Sequence, residues 1–130
     1  MSRSASKQRV LVVDDAANLR ELLTLLLETE DDFEVVGTAA DGAQALEAAT
    51  LLVPDIVLLD LAMPKMDGLQ ALPELRKRLP EARIVIFSGF DQGGLVDEAL
   101  RIGADAFLEK GASVTSLVAL LRELQAGGRE

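Results

Sequence analysis

The 130-residue sequence contains no cysteine and no histidine. Without thiols there are no disulfides, no zinc–thiolate centres and no cysteine nucleophile. Without imidazoles there is no Ser-His-Asp hydrolase, no histidine-ligated metal and no phosphohistidine donor. Tryptophan and tyrosine are absent as well, which leaves four phenylalanines as the whole aromatic complement. That removes the stacking platforms on which bases and flavin rings are held, and with 49% hydrophobic residues it makes the core aliphatic. Positive charge is scarce: 13 Lys and Arg against 22 Asp and Glu give a net charge of −9, which repels phosphate backbones and argues against direct nucleic-acid binding. No apolar run approaches the roughly 20 residues needed to span a bilayer. The polar start, Met1 to Arg9, has no hydrophobic segment behind it and is not a secretory signal. The expectation is a cytoplasmic protein of one domain, because a chain of this length holds a single core and buries about two-thirds of its unfolded surface.

Five short aliphatic runs stand out in what is present: Val10–Val13, Phe33–Val36, Ile56–Leu59, Ile84–Phe87 and Ala106–Leu108. They are continuously apolar, as strands buried on both faces are. Helical spacing fills the gaps. Leu19, Leu22, Leu23, Leu26 and Leu27 share one face, and Val114, Leu117, Val118, Leu121 and Leu124 share another behind a cap at Ser113. Asp41, three residues before Gln44, opens an Ala-rich helix ending near Leu52. A further helix spans about Leu69–Leu79, where Pro73 is tolerable only in the first turn, and a short one, Leu95–Ile102, follows Gly93–Gly94. This alternation predicts an α/β domain: a flavodoxin-like (βα)5 fold in three layers, its doubly wound parallel five-stranded sheet ordered 2-1-3-4-5. Residues 9–126 form the domain, between a disordered segment 1–8 and a tail at 127–130, with fraying from Gln125 onward.

The polar residues that follow the strands carry the functional signal. The first strand ends in Asp14–Asp15, the third in Asp60, the fourth in Ser88 and the fifth in Glu109–Lys110, while the second runs out uncharged through Gly37 to Ala40. Ligands of doubly wound sheets bind outside the carboxyl ends of the strands, near the switch point. In the predicted order, strands 1 and 3 flank that point and the second strand lies at the edge, farthest away. Two unit charges about 4 Å apart repel by about 4 kcal/mol at an effective dielectric of 20, so three carboxylates there need counter-charge. Lys110 supplies one positive charge, and a divalent cation supplies two more. An all-oxygen donor set favours Mg²⁺, or Mn²⁺, over zinc or copper, and Mg²⁺ commonly binds one or two carboxylates plus a phosphate. Singly, each residue has a plainer reading. Asp14–Asp15 can cap a helix, Asp60 can sit in a turn, Ser88 can be merely small, Lys110 can be a surface lysine and Phe107 can be core. Pro64 and Gly68 shape a loop. The joint pattern outweighs the plain readings for all of these but Phe107, Pro64 and Gly68.

Together, Asp14–Asp15, Asp60 within DIVLLDLAMPKMDG, Ser88 in IVIFSGF and Phe107 with Lys110 in AFLEK resemble the receiver domain of a two-component response regulator, over Val10 to Leu124. The resemblance implies that Asp60 is the phosphoacceptor nucleophile and forms an acyl phosphate. Asp15 would ligate Mg²⁺ with Asp60 and the backbone carbonyl of Ala62, and Asp14 would act through metal-bound water. Ser88 and Lys110 would hold phosphoryl oxygens, and Ser88 with Phe107 would form the switch. It further implies a regulatory domain, capable at most of self-phosphorylation from small donors and self-dephosphorylation, served by a sensor histidine kinase or phosphotransfer protein. Gly111 follows Lys110 where many receivers have proline, and Lys110–Gly111–Ala112–Ser113 resembles receivers of the LuxR/NarL type. The chain is either a stand-alone receiver or, as that subgroup implies, a fragment of a longer regulator whose C-terminal DNA-binding domain is absent from it, and a homodimer on phosphorylation is a further expectation. Leu25 and Leu120, beside their helical stripes, are available to a kinase or a second protomer. Ala62, two after Asp60, and Phe90, two after Ser88, offer no polar side chain to orient water and are expected to alter the phosphoryl lifetime. A haloacid-dehalogenase-like phosphatase would need Asp where Ala62 stands, and a flavodoxin-like carrier would need a phosphate loop where Asp14–Asp15 stand. A phosphorylation-independent interaction domain on the same fold is the alternative, although every acidic residue and the lysine are retained.

Overall fold

A computed structural model describes residues 7–63, 65–89 and 94–127 and shows strand and helix alternating along the chain. The elements are β1 (Gln8–Val13), α1 (Ala17–Glu28), β2 (Phe33–Ala39), α2 (Gly42–Leu52), β3 (Ile56–Leu59), α3 (Gly68–Arg78), β4 (Arg83–Ser88), α4 (Leu95–Ile102), β5 (Ala106–Glu109) and α5 (Val114–Gly127). The strands form one five-stranded sheet in the order β2-β1-β3-β4-β5, and every pairing is parallel. This is the predicted flavodoxin-like doubly wound topology. β1 opens at Gln8 and α5 runs to Gly127.

Continuous hydrophobicity in the strands has a direct cause in the packing. Successive side chains of a strand point to opposite faces, and here both faces are covered. Leu11, Val13, Val57, Leu59, Ile84 and Ile86 point one way, onto Ala45 and Ala49 of α2, Ala71, Leu72 and Leu75 of α3 and Ala99 of α4. Val10, Val12, Ile56, Leu58, Val85 and Phe87 point the other way, onto Leu23 and Leu27 of α1 and Leu117, Val118 and Leu121 of α5. A polar residue within any of these strands would be buried on one face or the other, which leaves the strand ends as the place for chemistry. Among the described residues no helix is long and apolar enough to cross a membrane.

Local chemistry sets the helix starts. Asp41 caps α2 by accepting from the Gln44 N–H at 2.9 Å, and the Gln44 side chain accepts from the Ala40 N–H, one residue before the cap itself. Asp67 and Gln70 form a full capping box at α3, and Ser113 caps α5 through the Ser116 N–H. The structure departs from expectation at Pro73 and Leu22. Pro73 lies in the second turn of α3, not the first, so it withholds the N–H that would otherwise serve the Leu69 carbonyl. Burial of Ala71, Leu72 and Leu75 against the sheet, with the capping box, carries the helix through that gap. Leu22 is 50% exposed. It lies about 100° round the helix from Leu23, beyond the stripe that faces the sheet.

Candidate functional site

The carboxyl end of β1 brings the first two acidic residues into place. The Asp14 N–H donates to the Ala39 carbonyl at 3.0 Å, which extends the β1–β2 ladder. The Asp14 side chain is thereby directed inward, 2% exposed, where it accepts from the Ala16 N–H at 2.9 Å. Asp15, the next residue along, is exposed. The guanidinium of Arg20 reaches back from α1 to the Asp14 carbonyl at 2.7 Å and closes the turn. Asp60 follows β3 in the same manner: its N–H donates to the Val13 carbonyl, and its side chain is 4% exposed. Carboxylate oxygens of Asp14, Asp15 and Asp60 all lie within 4.8 Å of one another.

Lys110 and Ser88 arrive from β5 and β4, whose ends are tied by the Lys110 N–H on the Ser88 carbonyl at 2.8 Å. The Lys110 ammonium sits 2.6 Å from Asp14 Oδ2 and 3.1 Å from Asp60 Oδ2. The Ser88 hydroxyl donates to Asp60 Oδ1 at 2.9 Å, and the Ala62 N–H donates to the same oxygen at 3.2 Å. The two oxygens of Asp60 are therefore held by different partners. Partial burial pulls the pKa of Lys110 down, but its hydrogen bonds to Asp14 and Asp60 outweigh this, and the net shift is upward. With one ammonium against three carboxylates the cluster keeps an excess of negative charge. The donors are oxygens only and one of them is exposed, so the residues present fit a hard divalent cation.

A cleft of about 440 Å³ opens over this cluster, lined among others by Asp15, Asp60, Ala62, Ser88 and Lys110. Asp67 and Leu95 also line it, and the sequence reading had not placed either there. The Asp67–Gln70 spacing was a usable signal for the cap; nothing in the sequence marks Leu95 as a cleft residue. Phe107 is half-buried and packs against the core face covered by α2, α3 and α4. Ser88 faces Asp60, with its hydroxyl directed into the cluster. The peptide from Lys110 to Gly111 is trans. Leu25 is 66% exposed and Leu120 half-buried. Pro64, Phe90 and Gly93 lie outside the described residues.

Comparison with known proteins adds to this geometry. A family profile for the response regulator receiver domain matches residues 10–122. The chemotaxis protein CheY of Thermotoga maritima is 38% identical over 117 residues, covering 90% of this chain and 97% of that protein. A protein-glutamate methylesterase/protein-glutamine glutaminase of Caldanaerobacter subterraneus subsp. tengcongensis is 45% identical over 112 residues, covering 85% of this chain. The chain spans only 30% of that relative's length. The signal receiver domain of the response regulator NarL from Mycobacterium tuberculosis superimposes with a TM-score of 0.85 at 39% identity, covering 95% of this chain and 99% of that one.

Proposed function

The chain belongs to the response regulator receiver domain family, and on that premise we propose that it is a signalling switch controlled by phosphorylation of Asp60. The observation that carries this reading is the division of labour at one buried carboxylate. Asp60 Oδ1 accepts from Ser88 and Ala62, while Oδ2 accepts from Lys110. In the transfer, an oxygen of Asp60 attacks the phosphorus of a phosphohistidine donor. The P–N bond breaks, its electron pair stays on the imidazole nitrogen, and a new C–O–P linkage forms. The Lys110 ammonium then donates to one phosphoryl oxygen and the Ser88 hydroxyl to another, each exchanging Asp60 for the group it has gained. Positioning and charge stabilisation are most of what phosphoryl transfer asks of a protein.

Asp14, Asp15, Asp60 and the Ala62 carbonyl are the groups that would hold a divalent cation, Mg²⁺ or Mn²⁺, whose contribution is to screen the approach of an anionic phosphoryl group to an anionic cluster. The added group brings about −1.5 to −2 charges. Relocation of Ser88 and Lys110 to that charge would disturb the packing at the end of β4 and β5, where Phe107 sits half-buried, and repack the surface formed by α4 and β5. Such a switch requires two packings within a few kcal/mol of each other. The reading includes a cytoplasmic location and a sensor histidine kinase or phosphotransfer protein as donor. The likeness to a DNA-binding response regulator of the LuxR family from Staphylococcus aureus supports a DNA-binding output domain on a longer chain. No external substrate is turned over.

Intact-mass spectrometry after incubation with acetyl phosphate tests the proposal. One phosphoryl adduct is expected on the wild type with Mg²⁺, and none without Mg²⁺ or in Asp60→Asn. A wild type that gains no adduct, and whose spectra ignore beryllofluoride, is a phosphorylation-independent interaction domain instead.

A further inference from the structure

One wall of the cleft comes from the segment joining β3 to α3, whose described residues include both Asp60 and Ala62. Within it Lys65 has φ of +64°, a conformation that a residue with a side chain keeps only when its surroundings enforce it. Two glycines, one opening α3 and one opening α2, hold the residues that follow Lys65. Gly68, the first residue of α3, donates its N–H to the Leu61 carbonyl at 3.2 Å, and a Cβ on it would lie 2.1 Å from the Asp60 carbonyl oxygen. Gly42, the first residue of α2, donates its N–H to the Met66 carbonyl at 2.7 Å. A Cβ on Gly42 would meet Met66 Cγ at 2.6 Å and that same carbonyl oxygen at 2.7 Å. Gly42 itself is held by its neighbour Asp41, 5% exposed, which caps α2. Met66 is wedged against the core face beneath α2 and α3.

From this we infer that Gly42 is a positioning residue for the acidic cleft. Its contact with Met66 holds the Met66–Gly68 end of the connection, and Gly68, bonded to the Leu61 carbonyl, passes that constraint to the neighbouring Ala62. The inference rests on the reading that Asp14, Asp15, Asp60 and the Ala62 carbonyl take a divalent cation. It draws in α2, the helix behind the edge strand, which contributes no side chain to the site. Groups that orient metal ligands from outside are typically worth about 10–100-fold in affinity when lost.

Titration with Mg²⁺ alone, followed by calorimetry, is run on the wild type, on Gly42→Ala and on Glu47→Gly, which loosens the same helix from its exposed face. Hydrogen exchange of the Ala62 amide is followed in parallel without metal. Gly42→Ala is expected to raise the Mg²⁺ dissociation constant about ten-fold and to speed Ala62 exchange. Glu47→Gly is expected to lower the melting temperature and change neither. Unchanged affinity and exchange in Gly42→Ala overturn the inference, as do equal changes in both variants. A wild type that takes no Mg²⁺ overturns the cation reading and the affinity part with it, and Ala62 exchange then decides the positioning alone. If Gly42→Ala does not fold, Gly42→Ala/Met66→Ala, where the new methyl meets only the carbonyl, is measured with the same expectations.

Discussion

Lys110 sets the charge balance of the cleft, because its one ammonium answers both buried carboxylates, Asp14 and Asp60. Lys110→Met leaves Asp14 with the Ala16 N–H, and Asp60 with Ser88 and Ala62, but neither with a cation. The lysine side chain is 26% exposed, so solvent softens the loss, and unfolding in urea without metal should show a destabilisation of about 1–3 kcal/mol. The same variant should bind Mg²⁺ more tightly, since an ammonium no longer competes for the same oxygens. Weaker Mg²⁺ binding, read by calorimetry, would mean that Lys110 organises the carboxylates instead of competing with a cation for them. At this scale the sequence was readable wherever a residue ends a buried strand. Asp14–Asp15, Asp60, Ser88 and Glu109–Lys110 stand out because each single residue or pair follows an apolar run. The Asp67–Gln70 spacing marks Asp67 as a cap, but nothing in the sequence marks it as a residue of the cleft. Gly42 carries no chemistry at all until the fold brings Met66 against it.

The strands and helices were legible for a related reason. A sheet covered on both faces forces runs such as Ile56–Leu59 to be wholly apolar, and their four residues are the whole of β3. The other strands run past their apolar runs because backbone pairing continues where burial lapses, as at Gly37 and Thr38 beside Leu11 and Val12. Pro73 was misjudged on the assumption that a helix yields to its proline, whereas tertiary packing of the neighbouring side chains overrides the local cost here. That cost should be recoverable. Pro73 is exposed, so Pro73→Ala disturbs no packing and returns a donor to the Leu69 carbonyl. A gain of about 1 kcal/mol in the free energy of unfolding is expected, within the penalty known for proline inside helices. A urea midpoint no higher than that of the wild type would show that α3 already accommodates the ring without cost.

Over the whole molecule, the end of the sheet opposite the cleft is closed by Arg122 of α5. It donates to both oxygens of Asp32 at 2.8 Å and to Glu30 at 2.9 Å, and lies 5.8 Å from the centre of the Phe33 ring. The hydrogen bond from Arg122 holds the Asp32 carboxyl below its ordinary value of 3.8. A lowered folded-state pKa stabilises the fold above the unfolded value and ceases to do so as pH falls through the folded one. Arg122→Gln should therefore be less stable than the wild type at pH 6, with the difference vanishing at pH values well below 3.8. In carboxyl NMR titrations its Asp32 should return towards 3.8; a titration that overlays the wild type would dismiss the pair as a contributor. At the cleft end, the ladder order has a consequence for synthesis. Lys110 lies 50 residues downstream of the Asp60 it neutralises, and β5, which carries it in, is the last strand of the sheet. A ribosome delivers Asp14, Asp15 and Asp60 first, so any nascent chain that has not yet reached Lys110 bears three mutually repelling acids without its own remedy.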